Sequence, residues 1–292
     1  MDFNAASAKI SSIRNLISRA DIMEIDNKRI AQILETATVA ARLAGQRAME
    51  LIGSAKKIEK SENELVTTAD PQCQEIIIER IKENFPDHGF LGEESNDGHL
   101  LKIAPRGENI WWVIDPIDGT NNYASGIPYF AVSIGVIADG KPVAGVIFQP
   151  STESMFTAAI NTEAALNNSR ITCGSEPLTN FSNVGIDGHF KDKIPAWQNR
   201  IMLMCRFRNF GTTAMQLAYV ANGGLVGTAS HYPKIWDIAA GVIIAKQAGA
   251  VITDWKGNKI ENFDVANYNR EPYEILVANP KAHKQLLDII NG

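Results

Sequence analysis

Ile110-Trp111-Trp112-Val113-Ile114-Asp115-Pro116-Ile117-Asp118-Gly119-Thr120 is the stretch from which the rest of the chain is best read. Its five leading apolar residues predict a strand buried on both faces, because a strand with one wet face would alternate. Polarity reverses at Asp115, so the strand is expected to end there with carboxylates at its tip. Pro116 fixes its own φ and has no N–H to donate, so the ladder should stop and the chain turn. Asp115 and Asp118 stand three positions apart, which in a turn-like winding puts both carboxylates on one side, about 5–6 Å apart at Cβ. Gly119 permits a conformation closed to other residues, and Thr120 adds a hydroxyl. Carboxylates this close repel one another unless a cation neutralises them. An all-oxygen set, including the carbonyl of Ile117, suits a hard divalent ion such as Mg²⁺. Taken alone, Asp-Pro-x-Asp-Gly also makes an ordinary turn, and only the surrounding chain decides between the two.

That chain has 292 residues, enough for one large domain or two layers sharing an interface. It is 45% hydrophobic and 21% charged with a net charge of −5, which argues against a general nucleic-acid surface. No apolar run approaches the roughly 20 residues of a membrane span, and no signal peptide is visible. Cys73, Cys173 and Cys205 form no CxxC pair, which disfavours a disulfide framework and a zinc site and fits a reducing, cytoplasmic setting. The histidines show no HxH or HExxH spacing, so a metal here is expected on oxygen rather than nitrogen.

Residues 1–23, rich in Ala, Ser and Arg and poor in acids, read as a plain N-terminal extension or an over-called start with Met23 the true one, a targeting peptide being the alternative. Asp26 or Asn27 caps a helix whose apolar stripe runs from Ile30 to Ile52 and stops near Gly53. A charged hairpin-like stretch, Lys56 to Glu64, leads to Asp70-Pro71, read as N-cap and first residue of a helix that stops at Pro86. Phe90 to Ser95 is a short strand ending in the acids Glu93 and Glu94. Phe130–Ala138 and Lys141–Gln149 are strands joined by the hairpin signal Asp139-Gly140. Short strands are expected at Ser154–Ala159, Val184–Asp187, Ile201–Cys205, Leu225–Ala229, Val251–Asp254 and Glu274–Ala278. Gly211-Thr212-Thr213-Ala214 opens one helix, where free N–H groups and two hydroxyls offer a polar landing site. Ile235-Trp236-Asp237 opens another that ends at Gly249, and Pro280 to Ile290 forms the last. Interleaved strands and helices predict an α/β fold with a mixed sheet.

Leu65-Val-Thr-Thr-Ala-Asp70, Gly92-Glu93-Glu94-Ser95, Asp115-Pro-Ile-Asp-Gly-Thr120 and Trp236-Asp237-Ile-Ala-Ala-Gly241 together resemble the inositol monophosphatase family over residues 24–290. The resemblance implies a layered αβαβα sandwich of the inositol monophosphatase and fructose-1,6-bisphosphatase type, with a metal-site half near 24–150 and a substrate-side half near 151–292. It implies a Mg²⁺-dependent, lithium-sensitive phosphomonoesterase holding two or three ions, often as a homodimer. By the same resemblance Glu93, Asp115 and the carbonyl of Ile117 hold one ion, and Asp115, Asp118 and Asp237 a second. Asp70 is an outer ligand through water, and Thr120 with Glu93 orients and deprotonates the attacking water. Gly119 and Thr120 offer N–H groups to the phosphate, and Gly211, Thr212 and Thr213 contact the substrate's hydroxyls.

One departure bears on the substrate. Seven residues before the Asp of Trp-Asp, inositol-selective members carry a Glu that accepts hydroxyl hydrogen bonds; Ser230 stands there in this chain. The stretches Asn121–Gly126 and Asn161–Asn168 also differ from the commonest family forms, the second lacking the usual Gly-x-Gly turn. The expected activity is hydrolysis of a small polyol or sugar monophosphate, inositol 1-phosphate first. Fructose 1,6-bisphosphate, histidinol phosphate and a 3′-phosphoadenosine nucleotide are the enzymatic alternatives. A regulatory binding protein built on the phosphatase scaffold is the alternative of another class.

Overall fold

The computed structural model describes residues 25–61, 64–94, 100–188 and 194–292; the N-terminal extension and Ser95 lie outside them. The chain begins with α1 (Asn27–Leu51), the strands β1 (Lys57–Ser61) and β2 (Glu64–Thr67), and α2 (Asp70–Asn84). Then come β3 (Gly89–Gly92), β4 (Leu101–Ile103), β5 (Ile110–Asp118) and the short α3 (Thr120–Ala124). A run of strands follows: β6 (Ala131–Ala138), β7 (Lys141–Gln149), β8 (Ser154–Ala159), β9 (Ala165–Leu166), β10 (Ser169–Arg170) and β11 (Asn183–Ile186). The remainder is α4 (Ala196–Met204), β12 (Arg206–Arg208), α5 (Thr213–Ala221), β13 (Gly227–Ser230), α6 (Ile235–Gln247), β14 (Val251–Thr253), β15 (Ile275–Ala278) and α7 (Pro280–Asn291).

Strands β1 and β2 form a two-stranded sheet, and two larger sheets divide the rest, one of eight in the order β10-β9-β8-β7-β6-β5-β3-β4 and one of five in the order β12-β11-β13-β15-β14. In the first, β3 and β5 run parallel and the rest antiparallel. In the second, β11 runs parallel to both β12 and β13. Alternation along the strands builds the layers. Ile110, Trp112 and Ile114 of β5 pack with Ile33, Ala37, Ala41 and Ile77 of α1 and α2. The odd residues Trp111 and Val113 pack on the other face with Leu217 of α5 and Ile238 and Val242 of α6. Ile275 and Val277 of β15 close that same core from the second sheet. Leu276 and Ala278 point away, against Trp197 and Ile201 of α4 and Ala282 and Leu286 of α7. The result is the expected αβαβα sandwich: the central strands β3, β5 and β6 are buried on both faces, and α6 between the sheets is buried almost all round.

Tight helix-on-sheet seating is set by glycine. A Cβ at Gly145 of β7 would come within 2.5 Å of the Ala240 carbonyl oxygen and 2.6 Å of Ile243 Cγ2, so only Gly lets α6 lie this close. The β6–β7 hairpin turns at Asp139 (φ 47°) and Gly140 (φ 78°), the two-positive-φ geometry that Asp-Gly favours. The departing Asn stretch makes the same kind of turn without glycine: Asn167 (φ 48°) and Asn168 (φ 65°) join β9 to β10, Asn being the side chain that best tolerates the left-handed region.

Four expectations need correction. The strand beginning at Ile110 does not end at Asp115. It runs to Asp118, with a register shift in which Asp115 pairs with Ser133 and Asp118 with Ala131, so Pro116 sits in a bulge and costs no ladder bond. Asp70 is not a cap: Ala69 holds that position, and the Asp70 carboxylate turns back to Thr67. Ile201–Cys205 falls mostly in α4, where Trp197 and Ile201 bury one face; a short apolar run does not distinguish helix from strand. The strand expected at Leu225–Ala229 is displaced to Gly227–Ser230.

Candidate metal and substrate site

The bulge in β5 shapes the site. It turns the chain so that the Ile117 N–H donates to Asp115 Oδ1 at 3.0 Å and the Thr120 hydroxyl donates to the Ile117 carbonyl at 3.0 Å. Gly119 follows at φ 97°, a conformation that calls for glycine, and a Cβ there would crowd the Gly211 carbonyl at 3.2 Å. Asp237 arrives from the first turn of α6, steadied by the Lys234 N–H donating to its Oδ2 at 2.7 Å. Asp118 is held from α5: the Thr212 hydroxyl and the Ala214 N–H, the latter at 2.6 Å, both donate to its Oδ2. Thus Asp115, Asp118 and Asp237 bring one carboxylate oxygen each to within 4.8 Å of one another.

Such an arrangement is strained as anions. Burial, then the charges of Glu93, Asp118 and Asp237, pushes Asp115 well above the ordinary carboxylate range. Burial raises Asp237 to about 7, and Asp118 to about 6 against the opposing hydrogen bonds from Thr212 and Ala214. Carboxylates this close are relieved when one of them holds a proton. A divalent cation does the same neutralising more completely, and the oxygen-only donor set fits Mg²⁺. Glu93, just beyond β3 and half-buried, lies outside the 4.8 Å set, yet its charge acts on Asp115.

Asp70 stands further off. Its Oδ2 accepts the Thr67 N–H at 2.8 Å and the Thr67 hydroxyl at 2.6 Å, while its Oδ1 is buried without a hydrogen-bond partner among the described residues. Burial raises its pKa to about 7, and the nearby charge is that of Glu94. An orphaned buried carboxylate oxygen fits water or an ion and is costly without one.

A cleft of about 340 Å³ opens on this cluster, lined by Asp118, Asp237, Gly211, Thr212, Thr213 and Asp187 among others. Hollows of about 680 and 690 Å³ along α1 and α2 are larger but contain none of the three aspartates, so chemistry rather than size selects the smaller one. Within it the Thr212 hydroxyl is already committed, donating to Asp118 and accepting the Met215 N–H at 3.2 Å, which leaves Thr213 the freer of the two hydroxyls. Ser230 is fully buried and does not line the cleft; its neighbour Asp187 does.

The inositol monophosphatase family model matches residues 29–291. The chain belongs to this family. It is 34% identical to the "Nus factor SuhB" of Vibrio cholerae, over 77% of this chain and 86% of that protein. It is 32% identical to the "Inositol-1-monophosphatase" of a Synechocystis species, over 87% of this chain and 86% of that protein. Among solved structures it superposes on the SuhB protein of Bartonella henselae with a TM-score of 0.78, at 29% identity over 89% of this chain and 98% of that one. The Thermotoga maritima IMPase gives the same TM-score, at 28% identity over 89% and 97%.

Asp187, Asn121, Asn209 and Gln216 also line the cleft and were not anticipated as site residues. Asp187 carried a usable signal, since an acid directly after an apolar strand is the pattern that also marked Glu93 and Asp115. The amides had none.

Proposed function

We propose that this member of the family is a Mg²⁺-dependent phosphomonoesterase acting on small polyol or sugar monophosphates, with inositol 1-phosphate the first substrate to try. The observation that carries the reading is the convergence of Asp115, Asp118 and Asp237 to within 4.8 Å, with Asp118 and Asp237 lining an open cleft. Those three, with Glu93 and the Ile117 carbonyl, would hold two or three Mg²⁺ ions, and the Asp70 Oδ1 would meet the cluster through water. Bound there, Mg²⁺ supplies charge neutralisation of a phosphate dianion, a lowered water pKa and stabilisation of the leaving alkoxide. The chain's own part is positioning: Thr120, fixed on the Ile117 carbonyl, and Glu93 orient the attacking water and take its proton, while the N–H groups of Gly119 and Thr120 meet the phosphate. Gly211 and Thr213 face the remainder of the substrate.

Lithium sensitivity, a cytoplasmic setting and a homodimer belong to the same reading. Among the described residues no helix is long and apolar enough to cross a membrane.

Phosphate release from inositol, fructose, histidinol and nucleotide phosphates, each with Mg²⁺ and with EDTA, tests the proposal. The expected result is Mg²⁺-dependent turnover of a polyol monophosphate, reduced at least about 100-fold in Asp115→Asn. Full turnover in EDTA would sink it. The name Nus factor carried by the Vibrio relative supports a second, regulatory reading, in which the fold docks on a macromolecule. A stoichiometric partner recovered on the immobilised protein, with negligible turnover, would favour that one.

A further inference from the structure

One carboxylate in the cleft takes no part in the ion cluster. Asp187 directly follows β11, and the parallel register of Ile186 with Ala229 sets it beside Ser230 at the carboxyl ends of two neighbouring strands. Its backbone carbonyl accepts the Gln198 amide at 2.9 Å, and its Oδ2 accepts the His231 N–H at 2.7 Å. Among the described residues its carboxylate also meets the Ser230 hydroxyl, and its Oδ1 receives the Gln216 amide at 3.4 Å, a long and weak contact. An ionised carboxylate offers about four acceptor positions, so a group anchored by His231, Ser230 and a weak Gln216 contact keeps capacity for one more donor from the cleft it lines.

Position decides what that capacity serves. Asp187 lines the same cleft as Asp118 and Asp237, and its charge is felt at Asp118, yet it lies outside the set of oxygens that converge within 4.8 Å. It is therefore placed for the organic part of a ligand rather than for the ion. A carboxylate only accepts, so its partner must carry O–H or N–H. The wall around it is made of groups that both donate and accept, Asn209, Gln216, Thr213 and Tyr232, as suits a ligand rich in hydroxyls.

We propose that Asp187 determines specificity by accepting a hydrogen bond from a hydroxyl of the substrate's polyol moiety. This rests on the phosphatase reading above. The test compares kcat/KM for inositol 1-phosphate with that for p-nitrophenyl phosphate, whose leaving group has no other hydroxyl, in the wild type and in Asp187→Asn at saturating Mg²⁺. Asn keeps an oxygen for the His231 N–H while removing the charge. The ratio is expected to fall about 10- to 100-fold, the weight of a hydrogen bond to a charged group. A loss shared equally by both substrates would mark a purely structural role and overturn the inference. A second measurement needs no variant: monodeoxy inositol phosphates offered to the wild type should include one position whose loss costs the same factor. Aryl phosphate turnover with no deoxy position costing more than about threefold would refute the role of Asp187 alone. Turnover of neither substrate would refute the phosphatase reading and the inference with it.

Discussion

Thr212 and Asp118, 94 positions apart, are joined by a hydrogen bond in which the threonine hydroxyl donates to the carboxylate oxygen that the Ala214 N–H also reaches. One side chain thereby starts α5, as its N-cap over Met215, and orients an ion-cluster carboxylate. Thr212→Ala should cost about 1–3 kcal/mol in urea unfolding, since a cap and a bond to a charged acceptor are both lost. It should also weaken Mg²⁺ binding about 10- to 100-fold by calorimetry, as loss of a residue supporting a metal ligand does. Thr212→Ser should restore most of both. A Ser variant as impaired as Ala would show that the methyl packing, not the hydroxyl, is what matters.

The buried carboxylates give the ion-free protein a signed pH dependence. Asp70, Asp118 and Asp237 titrate at about 7, 6 and 7 in the fold, against 3.8 for the ordinary group. Between those limits the folded chain holds protons that the unfolded chain has released, so stability is fully present below about 4 and falls as pH rises through 7. His88 acts in the opposite sense: burial lowers its pKa to about 4, so its contribution is lost as pH falls from 6.5 through 4. It lies away from the cluster and cancels in the difference between melts with Mg²⁺ and with EDTA. That difference should be larger at pH 8 than at pH 5, because protons compete with the ion for the same oxygens. Equal shifts at both pH values would mean that Mg²⁺ binds elsewhere.

The proposed homodimer can be tested at one exposed apolar surface. Phe207 (43% exposed) on the edge strand β12, Leu203 (89%) and Met204 (50%) at the end of α4, and Phe181 (75%) just before β11 are large apolar side chains left in water. Light scattering after size exclusion should give twice the chain mass, and Leu203→Asp with Phe207→Asp should give a monomer. A wild-type monomer at micromolar concentration would leave the homodimer without support.

Much of this was legible in the sequence because it follows from local chemistry. The apolar run at Ile110, the acids after it, and the Asp-Gly hairpin each carry their own signal over a few residues. The fate of Pro116 was not legible, since a bulge is a property of the pairing with β6 rather than of the proline. Asp70 misled for a similar reason: its sequence neighbourhood is that of a cap, and only the placement of Thr67 draws the carboxylate backward. Met202, Leu203 and Met204 read as part of a short strand, whereas they are exposed on α4. Asp187 and Ser230 meet through strand register across 43 residues, which no local pattern encodes.

Gly145 links the packing of the sandwich to its carboxylate cluster. α6 lies across β7 with the Ala240 carbonyl where a side chain at 145 would begin, and the same helix carries Asp237 in its first turn. In Gly145→Ala the Cβ meets backbone rather than a flexible side chain, so the helix itself must shift. Overpacking of this kind costs about 1–3 kcal/mol. The shift should reach Asp237, because a helix moves as a rigid rod whereas Asp115 and Asp118 stay with the sheet. The expected outcome is a lowered melting temperature together with Mg²⁺ affinity reduced more than the stability loss alone accounts for, read by titration well below the melting point. Gly53→Ala is the control, since nothing lies within 4 Å of a Cβ there and the positive φ of 79° adds strain far from the ions. It should lower the melting temperature and leave Mg²⁺ affinity where it was. If Gly145→Ala behaves the same way, the seat of α6 has no bearing on where Asp237 stands.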